Sequence, residues 1–255
     1  MVRAIGFLGK GGTGKTTLTA LFLRCLIEDN REGILAIDAD PNECLPNVLG
    51  VRRYVRLSDI VKTFEGKSIN PEQFEDRFRE MLLRNEQDGY DLIVMGRGET
   101  RGCYCYINLL LKSSFERNVL KGPYSYDYVL MDCEAGIEHI SRTTSTSIDA
   151  AVVVTDSSKM GLDTIERIKN VSNEVESDVK SFYVVANRVQ SEKVLSMIEE
   201  KARKLGMVYL GNIPYDPLLE EFNFEGRSLL ELPIDSKAYR ESGNMLEGIF
   251  YSLSG

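Results

Sequence analysis

Short, nearly continuous apolar runs alternate along this chain with longer stretches whose apolar residues recur at every third or fourth position. The first pattern belongs to strands buried on both faces, the second to amphipathic helices. Strands are predicted at Ala4 to Leu8, Ile34 to Ile37, Asp91 to Met95, Tyr128 to Met131, Asp149 to Thr155 and Phe182 to Ala186. Helices are predicted at Thr16 to Asp29, with Leu18, Leu21, Phe22, Cys25 and Leu26 on its apolar face, and at Leu57 to Phe64, Phe74 to Leu83, Leu162 to Val175 and Glu192 to Leu205. Pro71 after Asn70 suits a first helical turn. A helical tail from Ser236 to Leu253 places Met245, Leu246, Ile249 and Phe250 on one side, and its mixed charges point to packing on the domain rather than on a lipid surface. Strands and helices alternating in this way make an α/β fold of three layers, with a mainly parallel central sheet and helices on both faces.

Composition bounds this picture. With 255 residues, 43% of them hydrophobic, the chain can bury a full core, and no linker, repeat or low-complexity segment divides it, so residues 1–255 are expected to form a single domain. A formal charge of −8 argues against broad nucleic-acid binding, and the small basic stretch Val51 to Arg56 reads as a solvated loop face. No apolar run approaches membrane-spanning length and no signal-peptide pattern opens the chain, so a cytoplasmic protein without membrane attachment is expected. Five cysteines, an odd number, fit a reducing compartment in which thiols bind metal or pack in the core.

The chemistry begins at Gly9 to Thr17, GKGGTGKTT, which satisfies G-x-x-x-x-G-K-[ST] directly after the first predicted strand. Gly9, Gly11, Gly12, Thr13, Gly14 and Thr17 offer backbone amides to phosphate oxygens, Lys15 neutralises the β and γ phosphates, and the Thr16 hydroxyl can ligate Mg2+. This marks a P-loop NTPase fold. At the carboxyl end of the second strand, Asp38 and Asp40 stand two apart, so in extended chain they would share a face toward magnesium and the attacking water. Asp40 is the choice to orient that water, and Asp38 joins Asp132 in the magnesium shell. Asp132 opens D-x-x-x-G, whose Gly136 amide can approach the γ phosphate. Cys133 between them is expected to point away from Asp132 into the core, and His139 to lie on a helix surface. Asn187 and Arg188 end a strand where guanine-specific proteins carry N-K-x-D. Gln190 stands in place of that aspartate, which favours ATP.

Cys103 and Cys105 form a C-x-C after a glycine-rich bend, a spacing poor for a disulfide and better suited to metal. Two thiolates fill half of a four-coordinate shell, and a two-fold dimer would supply the rest. Cys44 reads as a free thiol in a loop beside the nucleotide, and Cys25 as a core residue.

Lys10 is not required by the phosphate loop itself, and with it the stretch resembles the deviant loop K-G-G-x-G-K-T-T of the MinD/ParA/nitrogenase-iron-protein superfamily. In that superfamily the early lysine reaches the partner subunit's nucleotide, so the resemblance implies a catalytic role for Lys10 beside Lys15 and a homodimer in the ATP-bound state. It also implies that Asn187 contacts adenine and that residues 211–217 lie near the base, with Pro214 and Asp216 as candidates. GETRGCYCYINLLLK and DCEAGIEHISR, together with the deviant loop, resemble CooC-type nickel-insertion ATPases. That resemblance implies an ATP-dependent metallochaperone binding Ni2+, with Zn2+ as the other metal, through paired cysteines, and carbon monoxide dehydrogenase as its client. Two other functions fit the same superfamily: an iron-sulfur electron donor like the nitrogenase iron protein, and a MinD/ParA-like positioning ATPase. The first expects a cluster cysteine further beyond Asp132 than Cys133; the second expects membrane or DNA association, against which charge and tail both speak.

Overall fold

A computed structural model describes residues 3–63, 73, 76–77, 82–85, 89–97, 126–133, 148–174 and 179–253. Its strands are β1 (Arg3–Leu8), β2 (Ile34–Ala39), β3 (Leu83–Asn85), β4 (Tyr90–Val94), β5 (Tyr128–Cys133), β6 (Ile148–Thr155), β7 (Val179–Asn187) and β8 (Val208–Ile213). The helices are α1 (Lys15–Glu28), α2 (Cys44–Val48), α3 (Leu57–Lys62), α4 (Lys159–Glu174), α5 (Glu192–Lys204), α6 (Pro217–Glu225) and α7 (Lys237–Leu253). All eight strands join one sheet in the order β3-β4-β2-β5-β1-β6-β7-β8. Among the described residues seven strands run parallel, and the edge strand β3 runs antiparallel, against β4.

The apolar runs sort by alternation onto two faces. Ile5 and Phe7 of β1 pack with Leu21, Phe22 and Leu26 of α1, in a layer completed by α2, α6 and α7. Phe22 meets Phe7 edge to face, with ring centroids 5.2 Å apart. Ala4 and Leu8 of the same strand face the opposite layer, where Leu57 and Ile60 of α3, Ile165 and Ile168 of α4 and Ile198 of α5 complete the core. The central sheet is therefore covered on both sides, as continuous apolar strands require, because an uncovered face would leave those side chains in water. The expected α/β architecture with a mainly parallel sheet holds.

Several elements differ from expectation. The helix expected through Leu83 stops short, since Leu83 opens the three-residue strand β3. β8 and α6 fall where no element was predicted. β8 is an edge strand with one fully buried residue, Ile213, and a glycine at 211, so its apolar signal is diluted. α6 is short but well bounded, with Asp216 as its N-cap, Pro217 in its first turn and Gly226 at its C-cap. The tail helix behaves as expected: Met245, Leu246 and Ile249 of α7 are buried, and α7 packs against α1 and β8. At that joint the buried Arg24 of α1 lies over the Tyr239 ring, 4.3 Å from its centroid. Among the described residues, no helix is long and apolar enough to cross a membrane.

Candidate functional site

The loop from Gly9 to Gly14 leaves β1 at the carboxyl edge of the sheet and runs into α1. That edge is where open parallel sheets bind ligands, because the following helices point their N-termini at it. Gly14 is the N-cap of α1 in the left-handed region, at φ 98°. A Cβ there would lie 2.2 Å from the Asn187 side-chain nitrogen, so glycine is needed for both conformation and space. The loop is held from within and from β7. Thr13, fully buried, donates its hydroxyl to Lys10 O at 2.9 Å. Asn187 donates to Thr13 O at 2.7 Å and Arg188 to Gly12 O at 3.3 Å. Lys15 is buried at the first position of α1. Lys10 turns the other way, its Nζ 3.8 Å from Asp156 just beyond β6.

Carboxylates converge on this loop from adjacent strands. β2 and β5 are paired with Asp38 opposite Asp132. Thr16 donates to Asp132 Oδ2 at 2.5 Å, while Asp132 Oδ1 is buried without a hydrogen-bond partner among the described residues. Burial pushes the Asp132 carboxyl up to about 6, although the Thr16 hydroxyl and Lys15 oppose that rise. Burial and then the Asp132 charge push Asp38 up to about 8. Asp40 lies just past β2, which ends at Ala39, so Asp38 and Asp40 are not two positions of one strand and Asp38 takes no open place toward the cavity. Instead, the fully buried Asp38 accepts the Asp40 N–H at 3.0 Å and the Leu45 N–H at 2.9 Å, and so braces both ends of the loop carrying Asp40. Asp40 itself caps Asn42 and lines the cavity.

A cavity of about 420 Å³ opens beside the loop. Gly11, Gly12, Gly14, Lys15, Thr16 and Thr17 form one wall, Asp40, Asn42 and Cys44 a second, and Asn187, Arg188, Pro214 and Asp216 a third. The lining thus combines amides and cations with Val48, Tyr215 and Leu219, apolar or aromatic side chains of the kind that pack against a planar ring. Tyr215, within the stretch 211–217 expected near the base, and Asn223, which carried no signal in the sequence, also line it. The Asp216 carboxylate is committed elsewhere. It accepts from Leu218 N at 3.0 Å, Ser236 Oγ at 2.6 Å and Ala238 N at 3.0 Å, tying α6 to the start of α7.

Sheet order, phosphate loop and acidic cluster have one family in common, and the model of the CobQ/CobB/MinD/ParA nucleotide-binding domain matches residues 7–229. The chain belongs to that family. An uncharacterized ATP-binding protein of Methanocaldococcus jannaschii is 37% identical over 254 residues, covering 96% of this chain and 97% of its own. The carbon monoxide dehydrogenase accessory protein CooC of Rhodospirillum rubrum is 27% identical over 258 residues, covering 95% and 94%. The cell division protein MinD of Aquifex aeolicus superposes with a TM-score of 0.71 at 21% identity, covering 98% and 97% of the two chains. As a CobQ/CobB/MinD/ParA nucleotide-binding domain, the chain is a member of the P-loop ATPase superfamily, and its phosphate loop lies where the fold puts the ligand edge.

The donor set fits a magnesium ion. Among the described residues, a buried carboxylate oxygen without a partner and a hydroxyl bonded to its twin make an all-oxygen corner of the kind a hard divalent cation satisfies. Cys133 lies where alternation put it: it is 2% exposed in the core layer opposite α1, and burial pushes its thiol well above the usual range. Cys25 is likewise buried, its thiol pushed up to about 12 by burial. Cys44 is exposed at the start of α2, and the loop before it is braced by Asp38 rather than free. Cys103, Cys105, Gly136 and His139 lie outside the described residues. Among the described residues, no group of three or more metal-ligating side chains comes together.

Proposed function

We propose that this chain is an ATP-hydrolysing metallochaperone, a homodimer in its ATP-bound state that carries Ni2+ to carbon monoxide dehydrogenase in the cytoplasm. The ATPase half is supported above all by the Thr16–Asp132 pair with its free buried oxygen, set beside the phosphate loop. In this reading Lys15 and the loop amides hold the phosphates, while Thr16 and Asp132 hold magnesium. Magnesium supplies charge neutralisation at the transferring phosphoryl group. Asp40, on the cavity wall, orients the attacking water, and Asp38 keeps the Asp40 loop in register. In this reading Asn187 and Pro214, which also line the cavity, contact the base. Lys10 acts across the dimer on the partner's nucleotide.

The cargo half is supported by the C-x-C at Cys103 and Cys105, and by the 27% identity to a protein whose name ties it to carbon monoxide dehydrogenase. Thiolates from two chains would complete a four-coordinate site that suits Ni2+ or Zn2+. A nitrogenase iron protein of Methanothermococcus thermolithotrophicus is also 27% identical, over 257 residues. The buried Cys133, adjacent to Asp132 and packed in the core, is poorly disposed to ligate a shared cluster, which weighs against electron transfer.

The test is metal content and oligomer mass of the reduced protein with and without ATP. A single nickel ion per ATP-bound dimer, lost in a Cys103→Ser, Cys105→Ser double variant that still hydrolyses ATP, supports the reading. Stoichiometric nickel in that double variant overturns the thiolate site, and bound iron with visible absorbance would favour the reductase.

A further inference from the structure

The cavity wall that carries Asp40, Asn42 and Cys44 includes one residue that faces away from the cavity. Glu43 stands in the left-handed region at φ 52°, an uncommon conformation for a side chain other than glycine, asparagine or aspartate. Its N–H donates to Asp40 O at 3.0 Å, closing a tight turn, and its neighbours Asn42 and Cys44 both line the cavity. The Glu43 carboxylate is largely buried, and its Oε2 accepts from Arg56 Nε at 2.7 Å and Tyr54 Oη at 2.8 Å. The Arg56 guanidinium also lies over the Tyr54 ring, 5.1 Å from its centroid.

Arg56 is braced in turn against the exit of β4. Its backbone bridges to Val94, and the next turn donates Ser58 N–H to Met95 O at 3.0 Å. At Gly96 a Cβ would come within 3.0 Å of the Arg56 side chain and 2.4 Å of Ser58 Oγ, so these residues fill the space directly over the chain leaving β4. Met95 N–H meanwhile donates to Asp38 O, the residue that pins the Asp40 loop. Two routes therefore link the cavity wall to residues 95–96: a backbone route through Asp38 and a side-chain route through Glu43 and Arg56. The first is rigid. The second ends on a backbone turn held in an uncommon conformation, and a shift of Asp40 and Asn42 toward a bound phosphate must carry Glu43 and its partner with it.

From this we infer that the Glu43–Arg56 pair is a positioning device that couples occupancy of the nucleotide cavity to the conformation of the chain leaving β4 at Met95 to Arg97. In sequence, Cys103 and Cys105 come after that exit. The inference rests on reading the cavity as the nucleotide site and does not require that the cysteines hold metal. Coupling of this kind is reciprocal, so a change imposed at the β4 exit must alter nucleotide affinity in return.

The test uses the full-length protein. Nucleotide binding is measured first by calorimetry with magnesium and a non-hydrolysable ATP analogue. Hydrogen exchange of the peptide spanning residues 92–97 is then compared with and without that analogue. The native protein should show a nucleotide-dependent change there. Glu43→Gln and Arg56→Gln should each shrink that change by at least about fivefold while nucleotide affinity moves by less than about threefold. The double variant should be no worse than either single one, because the two side chains act as one unit. Tyr54→Phe, which removes a hydrogen bond to Glu43 without touching β4, should keep most of the coupling, and melting temperatures identify any variant that is merely unfolded. An undiminished exchange response in Glu43→Gln overturns the inference, as does an additive double variant, or a native protein that binds nucleotide without any response at residues 92–97. Absence of nucleotide binding in the native protein instead overturns the reading of the cavity itself.

Discussion

Thr16 donates to Asp132 across 2.5 Å, and among the described residues the other, buried oxygen of that carboxylate has nothing to accept from. A buried acceptor left unpaired costs about 1–3 kcal/mol, so a fold that retains one beside a phosphate loop keeps it for a partner that arrives with the ligand. The partner consistent with an oxygen-only corner is a divalent cation.

Asp132→Asn should therefore separate magnesium from nucleotide. In the absence of magnesium its nucleotide affinity should stay within about threefold of the native protein, because the amide removes a negative charge near the phosphates without touching the loop. The gain in affinity on adding magnesium should fall by at least about tenfold, equivalent to ~1.4 kcal/mol. Titration calorimetry with and without magnesium measures both, and an unaltered magnesium gain would remove Asp132 from the site.

Asp38 gives a pH signature to the protein without magnesium. Its carboxyl is raised from 3.8 to about 8 by burial and by the charge of Asp132, so across that window the folded state binds more protons than the unfolded one. Stability must then fall as pH rises between those two values, with a slope of at most about 1.4 kcal/mol per pH unit from this group. At pH 5.5 Asp38→Asn should be less stable than the native protein, since one of two backbone N–H groups loses its acceptor, and the deficit should narrow toward pH 8 because the amide carries no charge to bury. Urea midpoints at pH 5.5 and 8 make the comparison. Parallel curves for the two proteins would show that Asp38 is not the titrating group.

The fold was legible because its central strands are buried on both faces and so read as unbroken apolar runs, as Val152 to Val154 do. β8 was not, because an edge strand needs few apolar residues and β8 buries only Ile213 fully. At the site, Lys15 and Thr16 were legible because the phosphate loop is a local structure whose glycines and cation must be contiguous. Asp132 stood out by its place at a strand end. The division of labour between Asp38 and Asp40 was not readable, since it depends on where β2 stops. The Glu43–Arg56 pair left no signal either: it joins two loops whose approach depends on how the segment between them is folded.

Asp216 was a candidate nucleotide contact, and its geometry makes it a structural cap with a testable acid limb. Burial alone would raise its carboxyl, but the hydrogen bonds from Ser236, Ala238, Leu218 and Leu219 outweigh it and hold the group below the ordinary carboxylate range. Its stabilisation is thus complete above the unfolded value of about 3.9 and is lost as pH falls through the lower folded value. Asp216→Ala should cost about 2 kcal/mol at neutral pH, combining a lost N-cap with a severed tie to α7. Denaturant unfolding checks the magnitude. At equal folded fraction, nucleotide affinity should drop by less than about threefold, because the carboxylate oxygens already serve the protein.

Lys10 provides the sharpest division between the two halves of the proposed function. It is held 3.8 Å from Asp156, and both side chains are about one-third exposed, so the pair is worth no more than about 1 kcal/mol and is easily given up. Unlike Lys15, it is not part of the cavity wall, and the loop oxygen it contributes to Thr13 belongs to the backbone. Lys10→Ala should accordingly leave nucleotide affinity of the single chain within about threefold, whereas Lys15→Gln should lower it by about a hundredfold through loss of a buried phosphate partner. If Lys10 serves the partner's nucleotide, Lys10→Ala should weaken ATP-dependent dimerisation by more than about tenfold, since one cation is lost from each of two sites related by symmetry. Sedimentation equilibrium with a non-hydrolysable analogue reads the dimer, and nucleotide titration at low protein concentration reads the single chain. A Lys10→Ala protein that dimerises normally but binds nucleotide as poorly as Lys15→Gln would place both lysines on the same phosphates and leave the dimer without its clamp.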